Sequence, residues 1–136
     1  MALEPYILLI DDDPVILEIL MGRLEAVGYR VTTAADAWQG VIQVQGVQVG
    51  LIIADIMMPG GGSGLDAYKK IRSITSLSPQ LPVIFLTGLK LDDVKKSMPD
   101  DPYVRYLSKP VDFKLLGGYL KDLIGIDRPL DKPQEA

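Results

Sequence analysis

Five residues of types that can work together chemically each stand at the end of a short apolar run. Asp11 and Asp12 follow Tyr6-Ile7-Leu8-Leu9-Ile10, Asp55 follows Leu51-Ile52-Ile53-Ala54, Thr87 follows Val83-Ile84-Phe85-Leu86, and Lys109 comes just after Tyr103-Val104-Arg105-Tyr106-Leu107. A carboxylate in such a place is a metal ligand, a nucleophile or a capping group. Three carboxylates gathered within several ångströms repel: at about 4 Å each pair costs about 4 kcal/mol at an effective dielectric near 20. Either some are protonated or a cation neutralises them. The chain has no histidine and no cysteine, so the available donors are oxygens, which favour a hard ion, Mg²⁺ or Ca²⁺. Mg²⁺ keeps several waters and takes one or two carboxylates plus a phosphate, which suits a small open site. Acids, a metal, a hydroxyl and a lysine make a phosphoryl site, with Asp as nucleophile and cations stabilising the equatorial oxygens.

The elements that must bring these residues together can be read from the pattern. Short apolar runs bounded by Gly and Pro read as buried strands: Tyr6–Ile10, Arg30–Thr33, Leu51–Asp55, Val83–Thr87 and Tyr103–Leu107. Between them the spacing predicts helices. Asp13-Pro14 caps and opens the first, with Ile16, Leu20, Leu24 and Val27 on one face and Gly28 as its stop. Residues 36–45 form the second, because parallel strands need a crossover; Gly40 and Gly46 weaken it by roughly 1 kcal/mol each. Leu65–Ser76 is the third, with Leu65, Tyr68 and Ile71 inward. Leu91–Ser97 is a short fourth, stopped by Pro99. Phe113–Ile124 is the fifth, capped by Asp112, with Phe113, Leu116, Leu120 and Leu123 buried despite Gly117-Gly118. Five strands alternating with five helices imply a doubly wound, flavodoxin-like α/β fold, a parallel sheet with right-handed crossovers and order 2-1-3-4-5. In that order the switch point lies between the first and third strands, the two that end in Asp11-Asp12 and Asp55.

Composition bounds the rest. A chain of 136 residues, 48% hydrophobic, suggests one domain with a real core. The expected boundaries are a domain over 1–125 and, over 126–136, a tail or the start of a linker with little to bury. A formal net charge of -4 without a basic block argues against direct binding of nucleic acid. No signal peptide and no apolar stretch of roughly 18 residues is evident, so no membrane partner and a cytoplasmic location are expected.

Four motifs in order, Ile-Asp11-Asp12, Ala-Asp55-Ile-Met-Met-Pro59, Leu-Thr87-Gly88 and Tyr106-Leu-Ser-Lys109-Pro110, resemble the receiver domain of two-component response regulators over about residues 5–125. The resemblance implies that Asp55 is the phosphoacceptor, taking a phosphoryl group from a phosphohistidine on a sensor histidine kinase or histidine phosphotransfer protein. It implies that Mg²⁺ binds Asp12, Asp55 and the Met57 backbone carbonyl, with Asp11 acting largely through water. It implies that Lys109 pairs with the carboxylate and then with the phosphoryl group, that Thr87 swings to a phosphoryl oxygen, and that Tyr106 turns into the space Thr87 leaves, changing a surface that controls an output domain or effector. The absent histidine agrees, since the donor imidazole cannot belong to this chain. No enzymatic activity is expected beyond phosphorylating and dephosphorylating itself.

Departures from the family pattern mark what does not carry over. The loop after Pro59 is one residue longer than the family's before the glycine that opens the third helix, and it lacks the usual acid. Pro99-Asp100-Asp101-Pro102 stands where a longer helix and a Gly-Ala turn are usual, so a standard dimer is not carried over. Val111 replaces a frequent aromatic. Met57 and Leu89, both apolar, are expected to flank the acceptor and hinder hydrolytic water. Two other functions compete: a degenerate receiver that binds partners without phosphorylation, and a small phosphatase resembling the haloacid-dehalogenase type, with Asp11 as nucleophile. Pro14 after Asp13 and the short chain count against the second.

Overall fold

The computed structural model describes residues 4–57, 63–88, 92–93, 96, 98 and 100–131. Its order is β1 (Tyr6–Ile10), α1 (Pro14–Ala26), β2 (Val31–Ala34), α2 (Ala37–Gly46), β3 (Val49–Asp55), α3 (Gly64–Arg72), β4 (Val83–Thr87), β5 (Val104–Ser108) and α4 (Phe113–Ile124). The strands form one parallel sheet in the order β2-β1-β3-β4-β5, as the alternation of strands and helices requires. Among the described residues there are four helices, not five. The helix expected over Leu91–Ser97, with Pro99 and Leu89, lies largely or wholly outside the described residues, as does most of the Gly-rich loop.

Both faces of the sheet are covered, which is why the strands read as nearly continuous apolar runs. One core layer joins Leu8, Ile10, Ile52, Ala54, Val83 and Phe85 to α2 and α3 through Val41, Val44, Ala67 and Ile71. The other joins Ile7, Leu9, Leu51, Ile53, Ile84 and Leu86 to α1 and α4 through Leu20, Leu24, Leu116 and Leu120. Alternate residues of each strand thus supply opposite layers, the two-residue period of a strand.

The helix starts follow from their caps. Asp13 accepts from the Val15 N–H, Asp36 from Gln39, and Asp112 from Lys114 and Leu115, so each carboxylate satisfies donors the first turn leaves open. Ser63 and Asp66 close a reciprocal capping box on α3. Gly125, at φ 72°, ends α4 in the left-handed conformation that favours glycine.

The structure differs from the sequence expectations in several particulars. β2 and β5 each lie one residue further along than expected, and β3 begins at Val49, so the alternating Val47–Val49 segment partly belongs to the strand. α3 stops at Arg72 rather than Ser76, because the Ser73 hydroxyl turns back to donate to the Lys70 carbonyl at 2.5 Å. Its inward face is Gly64, Ala67 and Ile71, with Leu65 and Tyr68 only half-buried; small residues let the helix lie close to the sheet. Finally, the residues after Gly125 do find something to bury. Leu130 is 2% exposed within the α1/α4 layer, and Ile126 packs beside it. The tail backbone passes over Gly117, where a Cβ would stand 3.8 Å from Leu130 N.

Candidate functional site at the carboxyl edge of the sheet

Asp11, Asp55, Thr87 and Ser108 mark the carboxyl ends of β1, β3, β4 and β5, and the parallel register delivers them to one edge. Ile10 lies opposite Ala54, Asp55 opposite Leu86, and Thr87 opposite Ser108. The chain turns there through the cis Lys109–Pro110 peptide. The Lys109 N–H donates to the Thr87 carbonyl at 2.8 Å. That bond fixes the backbone from which the lysine side chain reaches back over the edge.

The Lys109 ammonium stands 3.2 Å from Asp11 Oδ2 and 3.1 Å from Asp55 Oδ2. The two acids are arranged alike. Asp11 Oδ1 accepts from the Asp13 N–H at 2.9 Å, and Asp55 Oδ1 accepts from the Met57 N–H at 3.1 Å. Each strand-end carboxylate therefore spends one oxygen on the backbone two residues on, as in an Asx-turn, and the other on the lysine. Asp11 is 1% exposed and Asp55 5% exposed, whereas Asp12 is exposed. The cluster is closed toward the core and open at Asp12.

Burial pushes the Asp11 carboxyl above the usual aspartate value; the Asp13 N–H opposes this, the Asp55 charge adds to it, and Lys109 opposes it again. For Lys109 burial works against the charge, but its bonds to Asp55 and Asp11 outweigh that and hold the ammonium above its ordinary value. Lys109 thus pairs with Asp11 and Asp55, and Asp12 lies beside them without a bond to it.

Asp11, Asp12 and Asp55 each offer an oxygen within 4.8 Å of the others. One ammonium against three carboxylates leaves an excess of negative charge, and an all-oxygen donor set with one exposed member fits a hard divalent ion. Met57 is 58% exposed beside the cluster, so its neighbourhood is open to solvent. Thr87 is fully buried. Tyr106 is half-buried and stacks on Phe85, with centroids 5.8 Å apart and planes at 22°; burial, then the charges of Asp101 and Asp100, push its phenol above the ordinary value.

The structure brings Asp11, Asp12, Asp55 and Lys109 together and sets Thr87 and Tyr106 on the strands alongside. The sequence reading did not include the N–H groups of Asp13 and Met57, which orient the two carboxylates. The signal was present in the Asp-x-Asp and Asp-x-Met spacing after each strand, since an Asx-turn always uses the residue two further on.

A family model described as the response regulator receiver domain matches residues 7–121. Among curated relatives, the transcriptional regulatory protein GlrR of Escherichia coli K12 is 30% identical over 124 residues, covering 91% of this chain and 27% of that protein. AfsQ1 of Streptomyces coelicolor is 33% identical over 125 residues, covering 88% of this chain and 51% of that protein. The chain spans 18% of a third, DctD of Rhizobium meliloti, so it spans about half or less of the length of each of these relatives. Among solved structures, the chemotaxis protein CheY4 of Vibrio cholerae has a TM-score of 0.79 at 26% identity, over 89% of this chain and 99% of that one. The receiver domain of the sensor histidine kinase PA1611 from Pseudomonas aeruginosa PAO1, which has a magnesium ion coordinated in its active site cleft, has a TM-score of 0.74 at 30% identity, over 91% and 100%. With the family's strand order, its acidic cluster and its lysine all in place, this chain belongs to the response regulator receiver domains of two-component signalling.

Proposed function

We propose that Asp55 accepts a phosphoryl group from a phosphohistidine on a sensor histidine kinase or a histidine phosphotransfer protein. The observation that carries this reading is the Lys109 ammonium placed 3.1 Å from Asp55 and 3.2 Å from Asp11 at the sheet's switch point. In the transfer an Asp55 oxygen forms the new O–P bond, the P–N bond to the donor imidazole breaks, and its electron pair stays on the ring nitrogen, which is protonated.

Asp11, Asp12, Asp55 and the Met57 backbone carbonyl would hold Mg²⁺. Bound there, the ion supplies charge neutralisation for the phosphoryl oxygens. Lys109, cationic before and after transfer, exchanges a carboxylate oxygen for a phosphoryl oxygen without changing its own charge. Thr87 hydrogen-bonds the phosphoryl group, and Tyr106 then repacks along β5. The donor imidazole lies outside these 136 residues, which include no histidine. Val15 and Ile19, one helical turn apart on α1, are 59% and 50% exposed, and they supply an apolar contact for that protein near Asp12.

An output domain or effector protein would read the altered surface. The net charge of -4 supports a receiver that does not itself contact nucleic acid. No helix among the described residues is long and apolar enough to cross a membrane, in keeping with the proposed cytoplasmic location. Turnover is limited to forming and losing the protein's own acyl phosphate. Pro14, directly after Asp13, counts against the phosphatase alternative with Asp11 as nucleophile.

Acetyl phosphate with Mg²⁺, followed by intact mass, tests the proposal. One phosphoryl group should appear only when Mg²⁺ is present and never on Asp55→Asn. No Mg²⁺-dependent adduct on the wild-type chain would replace this reading with the phosphorylation-independent binding module.

A further inference from the structure

Gly64, the first residue of α3, lies against the backbone of Asp55. A Cβ built on Gly64 overlaps the Asp55 carbonyl oxygen, and it would stand 3.0 Å from the Asp55 carbonyl carbon and 3.4 Å from Ala54 Cβ. The Gly64 N–H donates to the next carbonyl along, Ile56, at 3.2 Å. Among the described residues the positive-φ glycines are Gly28 and Gly125. Gly64 is therefore required for space rather than for backbone freedom.

Neither side of this contact can retreat. β3 is an inner strand, with Ala54 opposite Ile10 on β1 and Asp55 opposite Leu86 on β4. α3 is held to the sheet near its start by the Gly64 N–H bond to the Ile56 carbonyl and by buried Ala67, in the same core layer as Ala54. Its far end is fixed by buried Ile71 and by the Arg72–Asp101 ion pair at 3.1 Å. Crowding at position 64 thus has one outlet, the free end of β3, where Asp55 leaves the ladder and its carboxylate meets Lys109.

We propose that Gly64 is a positioning residue for the phosphoacceptor: the missing side chain sets where the Asp55 carboxylate stands relative to Lys109 and Asp11. The inference rests on Asp55 being the acceptor. Gly50 supplies a comparison on the same strand. A Cβ there would lie 2.9 Å from Pro5 Cβ, a milder clash with a side chain rather than with backbone, five residues away and so about 16 Å from Asp55 at roughly 3.3 Å per residue.

The test compares Gly64→Ala with Gly50→Ala, reading the rate of phosphorylation by acetyl phosphate with Mg²⁺, the Mg²⁺ affinity by calorimetry, and the melting temperature. A displacement of about 1 Å at a reacting group costs on the order of 100-fold. Gly64→Ala, compared at equal folded protein, should therefore phosphorylate about 10- to 100-fold more slowly and bind Mg²⁺ more weakly. Gly50→Ala should lose thermal stability and keep the wild-type rate. Should Gly64→Ala not fold in plain buffer, it is measured in sucrose, which favours the folded state. Wild-type kinetics in the folded variant overturn the proposal, as does a failure to fold in either buffer, the mark of a merely structural glycine. A wild-type chain that takes up no phosphoryl group sinks the acceptor reading itself, a separate outcome.

Discussion

Asp11 carries the largest conflict of any single residue. It is 1% exposed and shares a 4.8 Å cluster with Asp12 and Asp55, and Lys109 offsets only part of that charge. Holding it ionised costs folding free energy that a bound divalent cation would return. Asp11→Asn keeps a carbonyl for the Asp13 N–H while removing the charge, so it should raise stability in metal-free buffer by about 1–2 kcal/mol, a fraction of the roughly 4 kcal/mol for an unscreened pair at 4 Å. The same change should weaken Mg²⁺ binding by about tenfold or more. Urea denaturation with and without Mg²⁺ checks both, and a variant less stable than wild type without metal would contradict the argument. The acids, the threonine and the lysine were legible because each follows a run of strand-forming residues, and strand ends of a parallel sheet gather ligands at one edge. The backbone donors that aim them were not, since a main-chain N–H has no letter in the sequence.

At the scale of elements, the segment before β5 shows why one departure from the family pattern could not be interpreted from sequence. Asp100-Asp101-Pro102 read as an interruption. In the structure Asp101 is an anchor: its Oδ2 accepts from the Tyr68 hydroxyl at 2.7 Å and from Arg72 Nε and Nη2 at 3.2 and 3.1 Å, and its Oδ1 accepts from the Tyr103 N–H at 2.9 Å. Arg72 lies over the Tyr68 ring at 5.0 Å, and Tyr68 meets Phe85 edge-on at 5.8 Å. This ties α3 to the start of β5 through partners 29 and 33 residues apart, and no local pattern encodes a contact of that span. Burial opposes the charge on Asp101, but Tyr68, the Tyr103 N–H and Arg72 together hold its pKa below the ordinary 3.8. An acid whose folded value is depressed contributes stability that is present above the unfolded value and is lost as pH falls through the folded one. Asp101→Asn should therefore cost about 2–3 kcal/mol at neutral pH, since Arg72 is left without its counter-charge with only 14% of its side chain exposed. Its stability should also fall less steeply than wild type below pH 3.8. Denaturation at neutral pH and below that value measures both; parallel curves would remove Asp101 from the acid response.

For the molecule as a whole, the packing of the tail decides where the domain ends. Composition alone suggested that the folded unit closes near residue 125, because the segment that follows is rich in charge and proline. One leucine and two arginines alter that. Leu130 is buried at 2% exposure among Leu20, Leu24, Leu116 and Leu120. Arg23, which stacks over Phe113 at 4.2 Å, donates to the Leu130 carbonyl at 2.6 Å. Arg128 lies 4.6 Å over the Tyr29 ring and reaches Glu4 at 2.7 Å, joining the tail to the lead of β1. The contributions differ in size. Burying a leucine is worth about 2–5 kcal/mol against alanine, whereas a solvent-exposed ion pair such as Arg128–Glu4 contributes little. Leu130→Ala should therefore lower the melting temperature by roughly 6–20 °C, taking about 3–4 °C per kcal/mol for a domain of this size, while Glu4→Gln should shift it much less. Truncation after Gly125 should cost more than Leu130→Ala, because it also removes Ile126, the Leu130 carbonyl that Arg23 donates to, and Arg128 with its contacts to Tyr29 and Glu4. Neither change touches the carboxyl edge, so Mg²⁺ affinity and phosphorylation by acetyl phosphate should stay at wild-type values. Calorimetric melting of the three variants checks this, and a truncated chain that melts with the wild type would return the domain boundary to Gly125.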